Sequence, residues 1–128
     1  MDNLSVTTLT YERVAKTIDH SLLRPELDVD AVLAGCDLAR RYDVASACVR
    51  PCDVALAREA LAGSDVLVGT VIGFPHGSHT TAAKVFESRQ AMDDGAVELD
   101  MVLNIGRLRS GRDAEVRDDI RAVVEVLT

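Results

Sequence analysis

One rhythm recurs four times along this sequence, and it leaves few folds open. Each time, a short apolar run ends in polar residues, and an amphipathic stretch of roughly a dozen residues follows. The first run covers 17–23 and is closed by Arg24 and Pro25. Its helix is expected from near Asp28, with Val29, Val32, Leu33, Cys36, Leu38 and Ala39 on one stripe. The second run, 45–49, stops at Pro51, and a helix over 52–61 should end at Gly63, a C′ glycine. The third, 66–72, breaks at Gly73-Phe74-Pro75-His76-Gly77, before a helix over 80–93 that ends at Gly95. The fourth, 97–103, is broken by Asn104-Ile105-Gly106, and a last helix is expected over 112–127. Residues 1–10 read as a flexible leader, and 11–17 as a short N-terminal helix ahead of the first strand.

Strand and helix alternating in this way define a parallel α/β fold. A doubly wound, flavodoxin-like sheet suits a chain of 128 residues. A (β/α)₈ barrel needs about 200–250 residues, so only half of one fits. Length alone favours the first. The polar residues favour the second, because Asp19, Thr70, Glu98 and Asp100 interrupt otherwise apolar runs. Several strands aiming polar groups at one point is how a barrel builds a site.

Composition narrows the functional classes. The chain is 48% hydrophobic and 27% charged, which is globular, and its few aromatics are Tyr11, Tyr42, Phe74 and Phe86. An aliphatic core of that kind suits helices on buried parallel strands. A formal charge of −7 argues against nucleic acid as a partner. No apolar run approaches 18 residues, so no membrane span is expected. A polar N-terminus without a signal-peptide core, and three cysteines (Cys36, Cys48 and Cys52) read as free thiols, place the chain in the cytoplasm by expectation.

The segments 18–25 (Ile-Asp-His-Ser-Leu-Leu-Arg-Pro), 47–51 (Ala-Cys-Val-Arg-Pro), 69–77 (Gly-Thr-Val-Ile-Gly-Phe-Pro-His-Gly) and 98–106 (Glu-Leu-Asp-Met-Val-Leu-Asn-Ile-Gly) together resemble the deoxyribose-phosphate aldolase family, in order and in spacing. The resemblance runs from about residue 16 to about residue 126. It implies a TIM barrel, of which this chain supplies the first four βα units. It also implies reversible cleavage of 2-deoxyribose 5-phosphate to glyceraldehyde 3-phosphate and acetaldehyde, through a lysine Schiff base and without metal or other cofactor. The iminium is the electron sink, and a carboxylate with water moves protons at the adjacent carbon. By the same resemblance that carboxylate is Asp100. Asp19 lines the pocket near the substrate hydroxyls, and Cys48 faces the same cavity. Thr70 is added as a further candidate on the cavity side.

The family's Schiff-base lysine lies on its sixth strand and a second lysine on its seventh, and its phosphate is held by turns after the seventh and eighth. The lysines of this sequence are Lys16 and Lys84. Both are expected to be solvated, Lys16 below the first strand and Lys84 on the outer ring of helices, out of reach of the strands' C-terminal ends. The 128 residues are therefore expected to be the first half of a longer enzyme, inactive alone, which assembles with itself or with a complementary C-terminal half. A non-catalytic half-barrel and a doubly wound binding module remain the alternatives.

Plainer readings stand beside these assignments. Asp100 in an apolar strand suits a structural ion pair, and Asp19 suits a strand-end cap. Cys48 reads as a small pocket-lining thiol and Cys52 as helix packing. Glu98 shares a face with Asp100, one layer lower, and is expected to pair with Arg50 or Lys16. The spacings of Cys48, Cys52, His76 and His79 do not fit a zinc site. The loop 73–77 is too poor in glycine for a phosphate loop. The acidic last helix (Asp113, Glu115, Asp118 and Asp119), with Arg112, Arg117 and Arg121, reads as a solvated face with i,i+4 pairs.

Overall fold

The computed structural model describes residues 8–127. A helix α1 (Tyr11–Ala15) precedes four strands, β1 (Asp19–Leu22), β2 (Ser46–Val49), β3 (Leu67–Ile72) and β4 (Glu98–Met101). Helix α2 (Val29–Tyr42) joins β1 to β2, α3 (Val54–Ala60) joins β2 to β3, and α4 (Thr81–Asp94) joins β3 to β4. Two helices follow β4, the short α5 (Ile105–Arg109) and α6 (Asp113–Val124). Of the expected leader, residues 1–7 lie outside the described residues. Thr10 caps α1, its side chain accepting from the Arg13 amide.

The helix boundaries have local causes. Asp28 and Thr80 cap α2 and α4 by accepting from the amides of Ala31 and Ala83, which satisfies donors that a first helical turn leaves free. Gly95 ends α4 in the left-handed conformation, φ 111°. Sequence reading missed α5 by treating 104–106 as a break. Asn104 is in fact an N-cap whose side chain accepts from the Arg107 amide. The last helix is correspondingly shorter than expected, and a 3₁₀ turn (Glu125–Leu127) closes it.

Strand order settles the choice of architecture. The sheet is wholly parallel and ordered β1-β2-β3-β4, the order of the sequence. Right-handed crossovers that always step the same way put every connecting helix on one face. A doubly wound sheet reverses direction and carries helices on both faces. Here the register puts Leu22, Ala47, Val49, Val68, Ile72, Leu99 and Met101 on one face. There they join the core with Val32, Cys36 and Ala39 of α2, Val54 and Ala57 of α3, and Ala91 of α4. This is the arrangement of consecutive βα units in a barrel wall.

Candidate functional site

The other face of the sheet carries the alternate residues: Asp19 and Ser21, Ser46 and Cys48, Gly69 and Val71, Glu98 and Asp100. Side chains alternate along a strand, so one register decision places all of them together. Three carboxylates from two strands share this face, with a thiol between them. Asp19 accepts a 2.8 Å hydrogen bond from the Ser46 hydroxyl. Cys48 Sγ donates to Asp100 Oδ2 at 3.5 Å. Asp100 itself is exposed on the open face, and no ion pair to it occurs among the described residues. A structural salt bridge therefore does not explain this carboxylate.

The electrostatics follow from the crowding. Burial raises the Cys48 thiol, and the adjacent Asp100 raises it further, with Glu98 and Asp19 adding to the effect, up to about 12. At neutral pH Cys48 is a neutral thiol that can donate a hydrogen bond, and it is not a nucleophile. Glu98 is held above the usual carboxylate range, first by burial and then by the charges of Asp19 and Asp100. It does not pair with Arg50 or Lys16 as expected. Arg50 binds Asp53 at 2.6 Å and the carbonyl of Pro25, while Lys16 binds Asp43 at 2.6 Å.

Thr70 departs from its sequence assignment. It shares the register of Val49 and Leu99, is fully buried on the helix-covered face, and donates to the Val49 carbonyl at 2.8 Å. Counting residues along the third run does not reveal which parity faces the helices, and the Thr70 hydroxyl lies on that face and not on the cavity side. Val71, in register with Asp100, is the β3 residue that shares the face of the carboxylates. Cys52 also departs: it is exposed, in a 3₁₀ turn (Pro51–Asp53), and does not pack into a helix interface. Among the described residues no cluster of His, Cys, Asp and Glu is arranged to hold a metal ion.

The largest departure concerns Lys84. It is 0% exposed, and its ammonium donates to Asp119 Oδ2 at 2.6 Å and to the Val102 carbonyl at 3.0 Å. The Thr81 hydroxyl donates to the second Asp119 oxygen at 2.7 Å. A helix that follows a strand starts at that strand's C-terminal end. Lys84 lies in the first turn of α4, close to the ends of β3 and β4. Asp119 is correspondingly buried, while the rest of the acidic helix is solvated as expected, though its pairs are not i,i+4: Arg112 with Glu115 and Arg121 with Asp118 are i,i+3, and Arg117 pairs with the adjacent Asp118. Helical spacing is the signal that points both members inward, against the usual solvation of such residues. Lys84 falls in the buried stripe with Ser88 and Ala91, and Asp119 in that with Val116 and Val123.

Four consecutive βα units with carboxylates gathered on the sheet face opposite the helices define a piece of a (β/α)-barrel wall. No protein-family model matches the chain. It is 49% identical over 113 residues to a deoxyribose-phosphate aldolase of Geobacillus sp. (strain WCH70), covering 88% of this chain and 51% of that protein. It is 52% identical over 111 residues to one of Staphylococcus carnosus (strain TM300), covering 87% and 50%. A crystal structure of a Coccidioides immitis protein, described as a deoxyribose-phosphate aldolase, superposes with a TM-score of 0.89 at 39% identity, covering 92% of this chain and 47% of the other. The chain belongs to the deoxyribose-phosphate aldolase family, and it spans about half the length of the curated relatives it matches.

Proposed function

We propose that this chain supplies the carboxylate half of a deoxyribose-phosphate aldolase site, which cleaves 2-deoxyribose 5-phosphate reversibly to glyceraldehyde 3-phosphate and acetaldehyde. In this reading the Schiff-base lysine and the phosphate grip come from residues beyond these 128. Asp100 carries the proton to and from the carbon next to the iminium. Asp19, oriented by Ser46, meets the substrate hydroxyls, and the neutral Cys48 thiol holds one oxygen of Asp100. The observation that carries the reading is the placement of Asp100: solvent-facing on the open sheet face, near the C-terminal end of β4, in contact with Cys48 and with no cation paired to it among the described residues. A proton-transfer carboxylate needs such access, and one committed to an ion pair does not have it.

A second reading, a self-associating half-barrel, is favoured by the uncovered apolar surface at both sheet edges. Beside β1, an apolar cleft is lined by Tyr11, Val14, Ile18, Leu38 and Tyr42. Near β4, Val97 is 69% exposed, and Ile120, Val124 and Leu127 are exposed as well. Open edges and apolar patches of this kind favour association.

One experiment separates the readings. The chain is assayed with 2-deoxyribose 5-phosphate alone and after mixing with the C-terminal half of a family member, and both samples are sedimented. The aldolase reading expects no turnover alone, and turnover with a heterodimer on mixing. Homodimers that exclude the second half and stay inactive would overturn it in favour of the self-associating reading.

A further inference from the structure

Lys84 is a fully buried charged group for which the proposed chemistry has no use. Its ammonium is completely enclosed, and its partners come from two elements, Asp119 of α6 and the Val102 carbonyl just past β4. A methionine of similar shape would fill the same space without the desolvation that a buried ion pair carries. Packing alone therefore does not account for a lysine here.

What the ammonium holds is the exit of β4. The Val102 amide donates to the Ile72 carbonyl at 2.9 Å, and its carbonyl accepts from Lys84, so both sides of that residue are fixed. The preceding loop closes over the same point. The Gly77 amide donates to the Gly73 carbonyl at 2.7 Å, and a Cβ on Gly77 would stand 2.0 Å from the Leu103 carbonyl oxygen. A Cβ on Gly73 would stand 2.9 Å from Lys84 Cε. Asp119 in turn is oriented by Thr81. Asp100 lies two residues before Val102, so the clamp grips the strand directly after the carboxylate.

We propose that Lys84, neutralised by Asp119, is a positioning residue that fixes the end of β4 and so aims Asp100 at Cys48 across the open face. The significance of that aim rests on the reading of Asp100 as the proton-transfer carboxylate. The aim itself is a property of this chain alone, and Cys48 reports it. An Asp100 that moves away stops opposing ionisation of the thiol, and each unit by which the thiol falls gives about tenfold more thiolate at a fixed pH.

The test is alkylation of Cys48 by iodoacetamide against pH, in a Cys52→Ser background that removes the exposed thiol, read by peptide mass spectrometry. Lys84→Met is compared with the parent and with Val32→Ala, a core substitution in α2 remote from β4. The expected result is alkylation of Cys48 in Lys84→Met about tenfold faster at pH 8, with Val32→Ala melting at a lower temperature but keeping the parental pH profile. If Lys84→Met does not fold, Thr81→Val, which frees one Asp119 oxygen, is read in the same way and should shift the profile in the same direction. A parental profile in the folded Lys84 or Thr81 variant, or an equal shift in Val32→Ala, would overturn the proposal. Failure of the aldolase reading shows separately, as absent turnover in the mixed halves, and leaves the thiol profile unaffected.

Discussion

Replacing Asp100 by leucine in the assembly of this chain with a family C-terminal half is expected to remove proton exchange at C2 of acetaldehyde. The loss should be on the order of 10²–10⁴-fold, the usual contribution of a positioned general acid–base. Leucine keeps the branched shape of the side chain and deletes the proton carrier. The fold should tolerate the change, because Asp100 is exposed and its described contact is the 3.5 Å donation from Cys48. Asp100→Asn should keep both the fold and the thiol contact and lose exchange as well. Deuterium incorporation into acetaldehyde, followed by proton NMR with thermal melting as the control, reads both effects. Exchange at the parental rate in a folded Asp100→Leu assembly would remove Asp100 from the mechanism.

The largest effect on stability is expected at Asp119. Asp119→Ala leaves the enclosed Lys84 ammonium with the Val102 carbonyl and no countercharge. Removing one member of a buried ion pair costs about 3–5 kcal/mol. Typical domains have only about 5–15 kcal/mol in total, so this is a large fraction. Denaturant melts should show the midpoint fall accordingly, with an unchanged slope. The double variant Lys84→Met/Asp119→Leu should recover most of the loss, since no charge is then left buried. Additive losses in the double variant would show that the pair is not coupled. The exposed pair of Arg117 with Asp118 is the natural comparison, and its removal should change stability by less than about 1 kcal/mol.

Most of the fold was legible because its signals are local and periodic. Apolar runs, proline and glycine stops and capping residues place four strands and their connecting helices within a few residues of where they lie. What the periodicity could not supply was sheet order, and with it the choice between a barrel wall and a doubly wound sheet. That choice needs the sequential order β1-β2-β3-β4, a relation among strands rather than a property of any one of them. The site divides along the same line. Asp19, Cys48 and Asp100 come from the resemblance to the aldolase family, and the strand register puts them on one face. Thr70 was misplaced by one residue of parity, which moves a side chain through the sheet. Lys84 was misplaced because a lysine on a helix is usually solvated. Its buried position depends on meeting Asp119 from a helix more than thirty residues away.

In the proposed aldolase this chain holds the carboxylate, and residues beyond it supply the amine. Trapping with acetaldehyde and borohydride tests that division most directly, because reduction converts an iminium irreversibly into an ethyl-lysine that mass spectrometry locates. Lys84 is sealed from solvent against Asp119, and Lys16 is committed to Asp43 and the Val44 carbonyl. Neither has a second lysine beside it. The chain alone is expected to gain only slow labelling that scales with acetaldehyde concentration. In the mixed assembly, rapid stoichiometric labelling should fall on the other half and be blocked by 2-deoxyribose 5-phosphate. Rapid, substrate-protected labelling of Lys16 or Lys84 would contradict that division.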